Sequence, residues 1–432
     1  AAPSAEEAGD GREPNPHPRP RIGVARALAL EEDHAATLTP TSEPTAIRFG
    51  LPADADSDVF RTLATLYGLE HPDVRIDIRE SGARGADCYA AGASAIGGTP
   101  AAHLMPLDAY LTSDRMRARY PAALLDPLRR GGRTWGLPLD LDARMLVYSR
   151  APFDAAGRAY PNAEWTVGDL IAHAGLLVDL EGDPPTYGFW PRWGPTGRAG
   201  ETIGWMGGGL LDGDGWPAFD TPAALRAMVR YQRLLASAPP TSGEEGRAWG
   251  AYPEVVRSGR VAMWFDDYGS AREAIGGDSA FGLAALPAGT VMPRPTIVTV
   301  LYIAAETNHP ETCWDWLVFL SGRPEAAALL PARADVADGV TWRARAGDGA
   351  ADAWLATLER LARDGDTWGP YSDAVTLGWV DRAVAEIAAG GSPEEALARA
   401  QEGATAYVTC LRATTEPGPT REECLRIAQG SG

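Results

Sequence analysis

The chain has 432 residues, of which 45% are hydrophobic and 22% charged, enough for two or three domains with a sizeable core. Its formal net charge is −19, which excludes the basic footprint of a nucleic-acid binder and disfavours an anionic membrane surface. No apolar run reaches the length of a transmembrane helix, and all 39 Lys and Arg positions are arginine, a bias from which no function follows.

Residues 1–45 are poor in large apolar side chains and rich in Pro, Glu and Gly. Disorder is expected up to Pro20, and Gly23–Leu38 has the composition of a short helix. The stretch reads as a polar tether, of the kind left when an export signal is removed. Ala46–Leu51 is strand-like and Pro52–Ser57 is an acidic loop. Asp58–Leu69 repeats apolar residues at helical spacing (Val59, Leu63, Leu66, Tyr67), and Val74–Ile78 alternates as a second strand. This unit is a parallel crossover. Only Ser81–Ala86 separates it from the next strand, Asp87–Ala91.

Arg133–Leu170 organises the middle of the chain. Leu137, Leu139 and Leu141 fall on one face of a strand, and Asp140, Asp142 and Arg144 on the other. Four apolar residues, Met145–Tyr148, then suggest a strand buried on both faces. Thr166 stands as N-cap of a helix with Asp169 at its third position. A region dense in Trp and Gly follows, with Trp190, Trp193, Trp205 and Trp216 among loops. Thr221 caps an amphipathic helix through Leu225, Met228, Val229 and Leu234. Val261–Phe265 reads as a buried strand ending in Asp266-Asp267-Tyr268, and Phe281–Leu286 and Thr296–Ala304 as further strands. Beyond a helix over Pro310–Leu320 the chain is mostly helical.

The run GLP…LVYSRAPFDAAG…WTVGDL in this middle stretch resembles the extracellular solute-binding proteins of ABC importers, the family that includes the maltodextrin-binding proteins. Val256–Tyr268 (VRSGRVAMWFDDY), His309–Leu320 (HPETCWDWLVFL) with Leu330–Arg333 (LPAR), and Ala383–Ala400 (AVAEIAAGGSPEEALARA) repeat the match in the family's order. Together they span about Ala46 to Tyr407. The resemblance implies an α/β, two-lobed periplasmic-binding-protein-like fold, with discontinuous lobes joined by a hinge and the ligand cleft between them. The expected boundaries are 46–140 with 299–331 for the N-terminal lobe, 141–298 with 332–408 for the C-terminal lobe, and 409–432 as an extension. Crossings are expected near Leu139–Asp142 and Thr296–Leu301. The family has a helix where this chain has only Ser81–Ala86, so Gly23–Leu38 is expected to cover the exposed face of the first sheet. The resemblance also implies an extracytoplasmic monomer at the cell surface or in the periplasm, often lipid-anchored, that works with ABC permease subunits in the membrane and needs no cofactor.

A sugar offers an apolar face of C–H groups and a rim of hydroxyls, which call for a flat indole beside Asp, Glu or Arg. There are 14 tryptophans; Trp193 and Trp205 are candidates, although core packing is as common a fate for an indole. Asp142 matches the family's acidic residue that bonds ligand hydroxyls; the plainer alternative is an ion pair with Arg144. Tyr268 stands where the family often has a stacking Trp, with Asp267 beside it, and Trp379 stands near another stacking position. Asp54 and Asp56 lie beyond the carboxyl end of the first strand, where ligands sit in this fold class, but an acidic loop is more often only solvated. The expected ligand is a carbohydrate, an oligosaccharide above all. A cationic or quaternary-amine solute is the alternative, since aromatics with Asp142 and Asp267 would also hold one.

An enzyme, such as a secreted glycoside-acting one, needs carboxyls flanking a bond. Asp140/Asp142 point the same way and Asp266/Asp267 point oppositely, and no nucleophile-elbow, zinc-protease or phosphate-loop motif is present. Of four cysteines, Cys410 and Cys424 flank a Pro/Gly turn and are expected to be bridged; Cys88 and Cys313 are a second candidate pair, against the alternative of four buried thiols.

Overall fold

The computed structural model describes residues 44–93, 103–112, 114–194, 196, 198–239, 252–289, 295–364, 374–413 and 420–430. The helix expected over Gly23–Leu38, and its covering of the first sheet, lie outside these residues. The larger sheet has six strands: β1 (Thr45–Gly50), β2 (Val74–Arg79), β3 (Cys88–Ala91), β6 (Leu137–Asp142), β10 (Thr296–Ile303) and β11 (Leu330–Pro331), in the order β11-β6-β10-β3-β1-β2. β1 runs parallel to β2 and β3, and β10 antiparallel to β3 and β6. A small hairpin of β4 (Arg129–Arg130) and β5 (Arg133–Thr134) precedes β6.

The parallel start is built as the sequence suggests. Asp56 caps the Ser57–Glu70 helix by accepting from the Asp58 and Val59 amides, and Phe60, Leu63 and Tyr67 pack inward at helical spacing. No helix forms over Ser81–Ala86. The turn lies directly on β1, with the Gly82 amide donating to Leu51 O at 2.9 Å. A Cβ on Gly50 would fall 1.9 Å from Gly82 O, so the absence of a side chain there permits the close approach. Cys88 of β3 is bridged to Cys313 of the Pro310–Ser321 helix, with Cα atoms 5.9 Å apart.

The two segments expected near the crossings pair with each other inside this sheet, from Thr296↔Asp142 to Leu301↔Leu137. The first passage to the second sheet comes at Ala143. There β7 (Arg144–Ser149) lies between β8 (Met263–Asp267) and β9 (Phe281–Ala284), antiparallel to both. The alternation expected of β6 also fails on one side: Asp140 is 1% exposed. β11 pairs along β6, and the Ala328 and Leu329 amides donate to Asp140 Oδ2 at 2.9 and 3.2 Å. A carboxylate can be buried when donors replace its water.

Two large cores result. One gathers Phe49, Leu139, Leu301 and Trp316 with Trp342 and Trp354, so the Val340–Ala346 and Asp348–Asp364 helices contribute to the first core although the expected boundary at 332 put them in the second lobe; the longer helix also lies against β9, and its Arg360 donates to Leu286 O and Ala163 O. The other gathers Phe153, Trp165, Phe219 and Phe265 with Val380 and Leu397 of the Ala374–Ala388 and Pro393–Leu411 helices. The Val167–Leu176 helix carries the capping box read from the sequence: Thr166 and Asp169 each accept from the other's amide. The Arg421–Ala428 helix is tied to its neighbour by a Cys410–Cys424 bridge, Cα–Cα 5.3 Å. No helix among the described residues is long and apolar enough to cross a membrane.

Candidate functional site

The site forms where the chain has just entered the second sheet. Arg144, the first residue of β7, stands directly opposite Asp267, the last of β8. A cross-strand pair of opposite charge stabilises that register, and Arg144 Nη2 reaches Asp267 Oδ1 at 3.5 Å. The same guanidinium donates to Glu201 Oε2 at 2.9 Å, and its side chain is only 8% exposed. Arg198 Nη1 reaches the other oxygen of Asp267 at 3.0 Å, and Arg192 pairs with the fully buried Asp266.

These arginines converge on Trp193. The guanidinium carbons of Arg144, Arg192 and Arg198 lie 4.9, 4.7 and 4.5 Å from its ring centroid, within reach of cation–π attraction. The indole is 37% exposed. Own side chains fill most of the space: with Phe189, Phe265 and Tyr231 behind, a cavity of only about 20 Å³ remains, room for about one water.

Burial governs the protonation of the acids nearby. It pushes the Glu201 carboxyl upward, opposed by Arg198, with Asp267 adding to the rise. Asp142 is likewise raised by burial, against the lowering effect of the Gly269 amide. Asp381, on the Ala374–Ala388 helix, is pushed up to about 6, by burial first.

Of the residues expected to bind ligand, Trp193 and Asp267 meet in this cluster. Asp142 stands at its edge, half-buried, and accepts from the Gly269 amide at 3.1 Å. It thus satisfies one of the free amides in the first turn of the Tyr268–Ile275 helix; Arg144 turns to Glu201 and Asp267. Three aromatic expectations are corrected. Trp205 is 2% exposed, edge-on to Phe265, with its indole N–H donating to Pro287 O. Tyr268 is 1% exposed in the first core beside Trp342. Trp379 is 9% exposed, packed on Gly403 with Arg382 over its ring. Each lies where packing, not solvent, covers the ring. Asp54 and Asp56 stand apart in the loop after β1, exposed, Asp56 serving as the cap described above.

Arg192, Arg198, Glu201 and Asp381 were not singled out in the sequence, and Asp266 was weighed there only as half of a carboxylate pair. Glu201, Asp266 and Asp267 each face a guanidinium, so the cluster is not an acidic one. Among the described residues no group of three or more His, Cys, Asp or Glu could hold a metal ion.

The profile of the bacterial extracellular solute-binding protein family matches residues 60–327. The chain belongs to this family. It is 29% identical over 228 residues to a putative binding protein of Brucella abortus (strain 2308), a match covering 50% of this chain and 53% of that one. A probable ABC transporter-binding protein of Deinococcus radiodurans is 24% identical over 237 residues, covering 52% and 55%. The chain thus spans about half the length of the curated relatives it matches. Among solved structures, a sugar transporter from Rhizobium etli superposes with a TM-score of 0.63 at 18% identity, covering 84% of this chain and 99% of that one. That likeness shows the two-lobed α/β fold of the solute-binding family. The family is one of binding proteins and not of enzymes.

Proposed function

We propose that this solute-binding protein captures a neutral carbohydrate, an oligosaccharide, outside the cytoplasm and delivers it to the permease subunits of an ABC importer. The carrying observation is Trp193, a partly exposed indole rimmed by arginines and carboxylates that neutralise one another. A flat ring suits the C–H face of a pyranose, and fixed guanidinium and carboxylate groups suit its hydroxyls. Net neutrality suits a ligand without charge, since an unbalanced buried charge is costly. Trp193, Arg198, Glu201 and Asp267 are the contacts we assign, with Asp142 at the margin. The Rhizobium protein's description as a sugar transporter and the Deinococcus protein's as ABC transporter-binding support the same reading.

A quaternary-amine ligand would need carboxylates not already held by guanidinium, and Asp267 accepts from two arginines. The test is a thermal-shift screen of maltodextrins and other neutral oligosaccharides against choline, betaine and polyamines. A ligand that binds only the folded chain raises its apparent stability. A sugar should raise the transition, and Trp193→Ala should remove that rise. A rise with amines and none with sugars overturns the carbohydrate reading.

A further inference from the structure

We propose that Asp381 is a positioning residue for the ligand site: through the Gly200 amide it holds the segment that delivers Arg198 to Trp193 and Glu201 to Arg144. The proposal rests on the preceding reading only for what the site holds. Asp381 Oδ1 accepts from Gly200 N at 2.8 Å, joining positions 181 residues apart. Gly200 sits at the centre of the four residues 198–201, whose ends supply both charged groups. Ala199 and Gly200 are buried, and a Cβ on Gly200 would meet Leu377 O at 2.6 Å. Residue 200 therefore packs backbone-to-backbone on the helix that carries Asp381, which leaves one carboxylate to fix its amide.

The segment needs such a hold. Among the described residues Arg198 is the one non-glycine with positive φ, at 55°, a backbone state that persists only where surroundings enforce it. The segment's own helix, Ala199–Ile203, runs on into a single π turn over Gly204–Gly208, still too short to be stable alone. The side chain of Arg198 is 42% exposed while that of Arg144 is 8% exposed, so Arg198 is the guanidinium able to leave the Trp193 ring when a ligand arrives.

Asp381 also gives the latch a signature that packing alone would lack. The titratable groups it faces are Glu201 on the held segment and the neutral phenol of Tyr231 on the Pro222–Leu235 helix; its neighbour Arg382 turns to Trp379. Burial raises its carboxyl to about 6, while the Gly200 and Ala199 amides act to lower it, so what holds the segment is the acceptor oxygen that Asp381 presents to these amides, a role that an amide side chain can fill and an apolar one cannot.

The test is amide exchange at Ala199–Glu201 in ligand-free protein at pH 7, expressed as protection relative to intrinsic rates. Asp381→Ala should lose on the order of 10-fold or more of the unaltered chain's protection. Asp381→Asn, which keeps an acceptor in the same place, should retain it. Acrylamide quenching assigned to Trp193 by difference against Trp193→Phe should also increase in Asp381→Ala. Wild-type protection in Asp381→Ala, or a loss in Asp381→Asn as large as that in Asp381→Ala, overturns the proposal. If Asp381→Ala does not fold, Asp381→Leu, which fills the space without an acceptor, is read in its place, and wild-type protection there overturns it. No sugar enters this experiment, so failure to find a sugar that binds would sink the carbohydrate reading and leave the latch standing.

Discussion

Replacing Arg144 by Met keeps an apolar stem beside Trp193 and removes the charge shared by Glu201 and Asp267. Two unit charges at ~4 Å attract by about 4 kcal/mol at an effective dielectric of 20. Breaking a fully buried pair costs about 3–5 kcal/mol, because the surviving charge is left without a partner. Here the arginine side chain is 8% exposed but the carboxylates are 32% and 30% exposed, so water takes over part of the role and exposed pairs contribute only about 0–1 kcal/mol. The expected loss is about 2 kcal/mol, read from urea unfolding at pH 7.5. In a double-mutant cycle with Glu201→Gln the second change should recover about 1 kcal/mol of it. Raising ionic strength from 0.05 to 0.5 M should alter the loss by less than half, since buried charges are poorly screened. A loss below about 0.5 kcal/mol, or additivity of the two changes within about 0.3 kcal/mol, would refute the claim that this pair fixes the site.

The two indoles expected at the site should separate cleanly. Trp205→Ala should cost about 3–5 kcal/mol of stability as a core truncation, and Trp193→Ala under about 1 kcal/mol, both by denaturant unfolding. Asp140→Ala should cost about 2 kcal/mol by removing the acceptor from two buried amides, while Asp140→Asn should cost less; equal losses would contradict the role of Oδ2. Opening Cys410–Cys424 with serines should destabilise the Arg421–Ala428 helix by about 3 kcal/mol in the loop-entropy picture, seen as early proteolysis at the carboxyl end without loss of the remaining fold. Asp381→Asn should stabilise the protein at pH 7.5 by about 1–2 kcal/mol. Burial raises the folded carboxyl to about 6 from 3.8, so its contribution is intact below 3.8 and lost as pH rises through 6; the discount below the full shift reflects its part exposure. The gain should vanish at pH 4, and a gain that persists there would reject burial of the charge as its cause.

What could be read from the sequence was local. The Thr166–Asp169 capping box lies within four residues, and the continuous apolar run Met145–Tyr148 reads as the buried strand it forms. Asp140 was misread because the two-residue strand β11 that covers it is too short to carry a pattern. Trp193 and Trp205 are alike in composition of surroundings, and only the fold decides that one packs on Phe265 and the other meets three arginines. The pairing of Arg144 with Asp267 joins residues 123 apart, and no spacing rule in a single sequence reaches that far.

The position of β10 has a consequence for how the molecule assembles. It lies between β3 and β6 in the six-stranded sheet, yet it is made last but one of those strands. Until residues 296–303 have emerged from the ribosome, β3 and β6 have no strand to join them, and the bridge from Cys88 must wait for Cys313, 225 residues later. Contacts of such long sequence separation form slowly. A chain that cannot close its first sheet until so late remains threadable while it is being made. A polypeptide that has to pass a membrane before it folds requires that interval, and here the strand order itself supplies it.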